Sequence, residues 1–130
     1  NKQNTNCTQY YKTMSLISVE GIRVFAYHGH LPEESVLGGN FIVNVWVNAD
    51  TSEVEETDNL SDTVDYVKII EVVKSQMSIR ANMIEIPAKR IVDEILDLNK
   101  VQNVKVEVEK IQPPIEAAFD KISVTSEGSN

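Results

Sequence analysis

A lysine at the end of a predicted strand is the clearest sign of chemistry in this sequence. Val104, Val106 and Val108 alternate with charged residues, which predicts a strand with one buried face. Lys110 continues the valine side of the strand, shortly before a Pro-Pro pair. Its ammonium would lie at the edge of the apolar face, partly removed from water, as is typical of a lysine that takes part in chemistry. A lysine whose stem is buried and whose ammonium reaches solvent is the equally weighted alternative.

Three other polar residues lie where predicted elements begin or end. Glu34 lies in the loop 28–39, Tyr66 opens the first predicted helix and Glu85 opens the second. Each has an ordinary explanation. An acidic residue at a helix N-terminus is favoured by ~0.3–1 kcal/mol, a tyrosine can begin a core-facing stripe, and a loop glutamate can be solvated. Together with Lys110 they form an acid–base set without a nucleophile or a metal.

Other kinds of site have weaker support. His28 and His30 are the only histidines, and no cysteine, third histidine or adjacent acidic pair completes the three or four ligands that zinc requires. Gly38-Gly39 is a turn signal without the following helix or lysine of a phosphate-binding loop. No serine lies in the context of a nucleophile elbow. We therefore expect no metal and no cofactor.

Composition indicates an ordinary globular protein. The 130 residues suit one domain, 42% are apolar and 25% charged, and the net charge of −8 argues against nucleic acid or an anionic membrane as the main partner. The single cysteine, Cys7, fits a reducing compartment. Residues 1–13 are polar and lack the apolar segment of a signal peptide. We predict a flexible polar leader over 1–13, a single domain over 14–130 and a cytoplasmic location.

Hydrophobic periodicity predicts the order ββααββ. Strands are expected over residues 16–27, 41–49, 102–111 and about 119–126, with a β-bulge at Gly21, where the alternation changes phase. An acidic connector over 51–65 leads to the first helix, which Asp62 or Asp65 could cap. The second helix should begin near residues 84–86, because Pro87 is tolerated only in a first turn. The predicted core stripes are Tyr66, Ile70, Val73 and Met77, and then Ile84, Ala88, Ile91, Ile95 and Leu98.

This order predicts an α+β fold, with two helices packed on one face of a four-stranded antiparallel sheet. Ile42 and Trp46 fall on the opposite face of that sheet. Long apolar strands with two open edges are a liability unless another chain covers them. We therefore expect a homo-oligomer, with a monomer that has protected edges as the alternative.

The segments that carry these residues resemble the dihydroneopterin aldolases, lyases of the folate pathway. The resemblance covers residues 15–127. Its parts are Gly-Ile-Arg-Val-Phe-Ala-Tyr-His-Gly over 21–29, Glu34 four residues before Gly38, Thr-Asp-Asn-Leu-Ser-Asp-Thr-Val-Asp-Tyr over 57–66, Ile84-Glu85, and Lys-Ile-Gln-Pro-Pro-Ile over 110–115. The chain departs from the usual family pattern at Ser35, at Gly39 (usually glutamine), at Ile86-Pro87 and at Glu116-Ala117. None of these departures removes a proposed acid or base.

The resemblance implies the tunnelling fold, in which ββααββ protomers join edge to edge into tetrameric rings that stack as an octamer. It places the site between adjacent subunits. Glu85, helped by the backbone of Ile84, would hold the amino-pyrimidine edge of a pterin. It implies catalytic roles for Lys110 as acid–base near ring N5, for Tyr66 of the neighbouring subunit as proton donor, and for Glu34 as ligand of the side-chain hydroxyls or a water. It implies no metal and no cofactor.

The implied reaction cleaves 7,8-dihydroneopterin into 6-hydroxymethyl-7,8-dihydropterin and glycolaldehyde, with epimerisation to 7,8-dihydromonapterin as a side activity. Two alternatives remain. One is an epimerase that acts on dihydroneopterin or on its triphosphate; the triphosphate would need lysine or arginine in the loop that carries Glu33 and Glu34, and this loop has neither. A pterin- or purine-binding ring without catalysis would keep Glu85 but not the acid–base set.

Overall fold

Four antiparallel strands form one sheet in sequence order. Residues 11–130 are described by a computed structural model, in which β1 (Met14–Ala26), β2 (Gly39–Asp50), β3 (Val101–Ile111) and β4 (Lys121–Ser129) pair in the order β1-β2-β3-β4. The helices α1 (Pro32–Leu37), α2 (Val54–Thr57), α3 (Tyr66–Met77) and α4 (Glu85–Leu96) lie between the strands. The predicted ββααββ order and sheet are confirmed.

Two segments predicted as loops contain short helices. Helix α1 lies within the segment 28–39, and α2 with a 3₁₀ turn, Leu60–Asp62, lies within the acidic connector. Helix α1 begins at Pro32, whose fixed φ suits a first turn, and ends before Gly38 at φ 72°. Six residues are too few to show a helical period in the sequence, so the prediction missed this helix.

Ten of the thirteen residues of the predicted leader, Cys7 included, lie outside the described part of the chain. The last residue, Thr13, is joined to the fold by three hydrogen bonds, one of them from the Thr51 hydroxyl to its carbonyl at 3.3 Å. Its N–H donates to Ser52 Oγ at 2.7 Å, and its carbonyl accepts from the Thr51 N–H at 2.9 Å.

The core-facing side of α3 differs from the predicted stripe. Ile69, Val73 and Met77 are fully buried, whereas Ile70 is only partly buried and Tyr66 is 61% exposed. Successive residues are about 100° apart around a helix, so the row spaced by four residues from Ile69 faces the sheet and Ile70 turns away from it. Asp65 caps the helix, since its Oδ1 accepts from the Val67 N–H at 2.9 Å.

Helix α4 follows the prediction closely. It begins at Glu85, and Pro87 is buried in its first turn, where a missing N–H breaks no helical hydrogen bond. The residues Ile84, Ala88, Ile91 and Ile95 are buried, and Leu98 is partly buried against the core. Helix α4 packs on β3 and β4 while α3 packs on β1, so both long helices lie on one sheet face.

The predicted bulge in β1 is confirmed. The register with β2 shifts between Val19 and Ile22, and Gly21 has a φ of 76°, which favours glycine. The Gly21 N–H donates to Asn44 Oδ1 at 2.7 Å. The Asn44 side chain, on the face opposite the helices, therefore satisfies the donor that the bulge removes from the ladder.

The sheet face opposite the helices carries apolar side chains that the described chain does not cover. Ile42 and Trp46 are partly buried there, and Leu16 on the edge strand β1 is 64% exposed. The Lys105 ammonium lies 4.9 Å from the centroid of the Trp46 ring. No helix among the described residues is long and apolar enough to cross a membrane.

His28 should make the stability of the fold depend on pH. Burial lowers its pKa from 6.5; the main chain of Met77 acts in the opposite direction but less strongly. Its Nδ1 accepts from the Ala81 N–H at 3.1 Å, an interaction that requires this nitrogen to be unprotonated. The folded state therefore binds this proton less readily than the unfolded state. The contribution of neutral His28 to stability is fully present above the unfolded pKa, and it is lost as the pH falls below that value and through the folded pKa.

We expect the free energy of unfolding to fall below pH 6.5 by at most ~1.4 kcal/mol per pH unit for this group. Urea unfolding at pH 7.5 and 5.5 measures the loss. In His28→Gln the loss between these pH values should shrink, whereas the exposed His30→Gln control should retain it. An unchanged loss in His28→Gln would contradict the assignment.

Candidate active site

A buried ion pair joins the end of β3 to helix α1. The Lys110 ammonium donates to Glu34 Oε2 at 2.7 Å, across 76 positions of sequence. The Lys110 side chain is 15% exposed and the Glu34 side chain 7% exposed. Lys110 therefore does not extend to solvent, and Glu34 is not a solvated loop residue. The two side chains therefore form a charge pair that is partly removed from water, and neither is solvated on its own.

The backbone around Glu34 is arranged to receive its carboxylate. Its Oε1 accepts from the Leu31 N–H at 3.3 Å, while Oε2 accepts from Lys110. Gly29 has a φ of 141°, and a Cβ atom at this position would overlap the Glu34 carboxyl group. Gly29 is thus required both by its backbone conformation and by the space that Glu34 occupies.

The segment before α1 is held from the other side by the connection between α3 and α4. The Gly29 N–H donates to the Ala81 carbonyl at 3.1 Å, and the Arg80 guanidinium donates to the Gly29 carbonyl at 2.8 Å. Both main-chain groups of Gly29 are therefore satisfied. These bonds bring the start of α4 close to the Glu34–Lys110 pair.

Four of the predicted site residues surround one cavity of about 230 Å³. Glu34 and Lys110 lie on one side of it, and Ile84 and Glu85, at the start of α4, lie on another. Glu85 is exposed and Ile84 is buried. The remaining walls include three residues that the sequence analysis did not place in the site, namely His30, Asn82 and Met83. The only indication in the sequence that these residues belong to the site is that they lie close to Gly29 and Ile84 along the chain.

Tyr66 does not line this cavity. It begins α3, a helix of 12 residues, and the opposite end of α3 at Met77 lies against His28. At 1.5 Å per residue, Tyr66 is about 16 Å along the helix axis from that end. A single chain therefore brings together Glu34, Ile84, Glu85 and Lys110 but leaves Tyr66 outside their cavity, at the far end of α3.

A second, small cavity of about 40 Å³ also has Glu34 and Lys110 in its wall. Gly39 contributes to this wall, and a Cβ atom there would meet nothing within 4 Å. The volume exceeds the ~10–15 Å³ that one water needs. A larger groove of about 420 Å³ lies on the other sheet face beside Trp46 and Lys105, but none of the predicted acid–base residues line it.

Comparison with known proteins gives the family. The dihydroneopterin aldolase family pattern matches residues 17–127. The chain belongs to the dihydroneopterin aldolase family. The dihydroneopterin aldolase of Staphylococcus epidermidis is 33% identical over 111 residues, which are 84% of this chain and 92% of that protein.

Solved structures show the same fold. Escherichia coli dihydroneopterin aldolase in complex with neopterin matches with a TM-score of 0.79 at 18% identity, covering 88% of this chain and 99% of that one. The Burkholderia thailendensis dihydroneopterin aldolase bound to guanine matches with a TM-score of 0.74 at 18% identity, covering 90% and 92%. The chain therefore has the tunnelling fold that the resemblance implied.

Gly29→Ala should disrupt the ion pair. The added methyl group would displace the Glu34 carboxylate from Lys110, and the backbone would be held at a strained φ, so we expect a loss of ~1–3 kcal/mol in unfolding free energy. Gly39→Ala is the matched control, because its methyl group enters open space and φ is not positive. Urea unfolding of both variants gives the comparison. Equal stabilities for the two variants would show that Glu34 does not depend on Gly29.

Proposed function

We propose that this protein is a metal-independent carbon–carbon lyase that cleaves 7,8-dihydroneopterin into 6-hydroxymethyl-7,8-dihydropterin and glycolaldehyde. The observation that carries the proposal is the cavity in which the Glu34–Lys110 pair and Glu85 meet, in a chain of the dihydroneopterin aldolase family. The single cysteine favours a reducing compartment, and we place the reaction in the cytoplasm.

The substrate supplies its own electron acceptor. Its ring C6=N5 bond is next to C1′, so the electron pair of the breaking C1′–C2′ bond can move toward N5. Neither a Schiff base nor a metal is needed for this step. The protein has to remove the proton of the 2′-hydroxyl, supply a proton at N5 and protonate C1′ of the resulting enamine.

Lys110 is the acid–base group that we assign to N5. Its ammonium is held by Glu34 at 2.7 Å, so a proton donor stands at a fixed position in the cavity wall. When C1′ is protonated and C6=N5 re-forms, N5 returns the proton to Lys110. Glu34 orients the side-chain hydroxyls or a water beside them.

Glu85 is the group that we assign to pterin recognition. The amino-pyrimidine edge of a pterin presents adjacent N–H donors, which a carboxylate can accept in a bidentate pair. Glu85 is exposed at the first residue of α4, and among the described residues its carboxylate forms no salt bridge. The backbone of Ile84, immediately before the helix, completes this end of the pocket.

Tyr66 enters the proposed site only in an oligomer. We assign it the protonation of C1′, from the subunit adjacent to the one that supplies Lys110. Nothing within residues 11–130 pairs with the outer edges of β1 and β4, so edge-to-edge joining of copies into tetrameric rings, stacked as an octamer, is the proposed assembly.

Two related activities differ in what the cavity must contain. If glycolaldehyde adds back to the opposite face of the enamine, the product is 7,8-dihydromonapterin, so an epimerase activity accompanies cleavage. A triphosphate substrate would need free cations, and among residues 11–130 the only lysine or arginine in the cavity wall, Lys110, is already paired with Glu34. A binding ring without catalysis would need Glu85 but not this pair.

Product analysis tests the proposed reaction. The purified protein is incubated with 7,8-dihydroneopterin and a chelator, the pterins are separated by chromatography and glycolaldehyde is assayed. Equal amounts of hydroxymethyl-dihydropterin and glycolaldehyde are expected, with monapterin as the epimerase share. Monapterin alone would make the protein an epimerase. Bound but unchanged substrate would make it a binding ring.

Lys110→Ala and Glu85→Ala should have different effects. Removing Lys110 removes proton transfer at N5, so kcat should fall ~10²–10⁴-fold while neopterin still binds. Removing Glu85 leaves the pterin donors without their partner, so binding should weaken by ~1–3 kcal/mol. Fluorescence titration with neopterin and steady-state kinetics separate the two. Normal turnover in Lys110→Ala would overturn its assignment.

Mixing variant subunits tests whether a site is shared. Tyr66→Phe and Lys110→Ala should each be nearly inactive alone. In hetero-oligomers co-expressed at equal levels, about a quarter of the sites would combine an intact Lys110 with an intact Tyr66 from the adjacent subunit. Turnover by the mixed oligomers should then rise toward about a quarter of the wild-type rate. No recovery in verified hetero-oligomers would place both residues in the same subunit's site or remove Tyr66 from the chemistry.

A further inference from the structure

His30 lies in the pocket, in a position that the family resemblance does not explain. It lines the 230 Å³ cavity together with Glu34, Glu85 and Lys110. His28, two residues earlier, is 1% exposed and accepts a hydrogen bond from the Ala81 N–H, whereas His30 is exposed. Of the two histidines, only His30 is available to a ligand.

The backbone on both sides of His30 is held in place. Gly29, before it, is bonded through its N–H to Ala81 and through its carbonyl to Arg80. Leu31, after it, donates its N–H to Glu34 Oε1. Among the hydrogen bonds of residues 11–130 none involves the His30 imidazole, so its ring nitrogens are not committed within the described chain.

The proposed reaction needs a base for the 2′-hydroxyl, and the charged pair is a poor candidate. To accept a proton, Lys110 would first have to lose the ammonium charge that pairs with Glu34, which would leave the buried carboxylate without its partner. Both Glu34 oxygens already accept hydrogen bonds, from Leu31 and Lys110. A neutral imidazole is the side chain best suited to accept a proton near pH 7.

We propose that His30 is the general base that removes the 2′-hydroxyl proton, an inference that rests on the proposed aldolase function. The O–H bond breaks and its proton moves to an imidazole nitrogen. The C1′–C2′ bond breaks, C2′ becomes the aldehyde carbon of glycolaldehyde, and the electron pair forms C1′=C6 while N5 takes a proton from Lys110.

The protons balance when the enamine returns to the imine. C1′ gains a proton from Tyr66 of the partner subunit, C6=N5 re-forms, and N5 gives its proton back to Lys110. The imidazolium of His30 then reprotonates the tyrosinate. No oxidant, reductant or net proton is consumed. The charged groups that line the cavity with the imidazole are Glu34, Lys110 and Glu85, and the Arg80 guanidinium is bonded to the carbonyl of Gly29, the residue before His30.

His30→Ala and His30→Gln test the inference. Since a positioned base contributes ~10²–10⁴-fold, kcat for 7,8-dihydroneopterin should fall at least ~100-fold in both variants. Neopterin binding, followed by fluorescence titration, should change less than about threefold, because Glu85 is untouched. Free imidazole added to His30→Ala should restore part of kcat, and the pH dependence of kcat in both variants should differ from that of the wild-type protein. Glu33→Gln, an exposed helix α1 residue outside the cavity wall, is the control and should keep the wild-type profile.

The outcomes separate this inference from the proposed function. If the wild-type protein cleaves 7,8-dihydroneopterin but His30→Ala keeps its kcat or does not respond to imidazole, the role of His30 is wrong and the aldolase function stands. If weaker neopterin binding accounts for the whole loss, His30 is a binding residue and the base is elsewhere. If the wild-type protein cleaves no 7,8-dihydroneopterin, both proposals fail together.

Discussion

The arrangement of the site depends on one buried ion pair. Lys110 and Glu34 lose most of their hydration, and a pair removed from water is stable only with close geometry and further hydrogen bonds. Removing one partner of such a pair typically costs ~3–5 kcal/mol, because the other charge stays buried, whereas apolar replacements are often neutral or stabilising. The pair is therefore weak evidence for a role in stability. Its position at the wall of a cavity is better explained by the chemistry that a fixed ammonium and carboxylate can perform.

The pair makes a series of otherwise unrelated local features necessary. Glu34 lies in the first turn of α1, and its carboxylate reaches Lys110 through space that is open because Gly29 has no side chain. Gly29 is in turn held by Ala81 and Arg80, which places the segment leading into α4, and hence Glu85, beside the pair. A single constraint, a desolvated carboxylate that must be fully bonded, thus connects α1, the end of β3 and the start of α4.

The sequence predicted what depends on near neighbours. Strand alternation, the bulge at Gly21 and the first-turn position of Pro87 each follow from a few adjacent residues, and all three are confirmed. The prediction placed Ile70 on the core-facing side of α3, where the structure has Ile69. Which of the two is buried depends on how α3 is rotated about its axis against the sheet, and no local period determines this rotation. The Glu34–Lys110 contact spans 76 positions, so its side chains could be named as candidates but their pairing could not be derived. His30 was considered only as a metal ligand, because its place in the cavity depends on that same long-range contact.

Residues 11–130 of one chain leave the cavity open on an apolar side, and this links assembly to chemistry. Met83, Ile115 and Ile122 line the cavity yet are 48%, 45% and 39% exposed. Water in contact with the Glu34–Lys110 pair would weaken its electrostatic effect on a substrate, so a surface that covers these side chains would strengthen it. Ile122 belongs to β4, an edge strand, so a copy that joined the sheet at this edge would lie next to the open side. In the proposed ring, pairing at the β4 edge would protect this strand from non-specific association. The same pairing would exclude water from the pocket and bring Tyr66 of the adjacent subunit into it. Folding, assembly and catalysis would then depend on one interface.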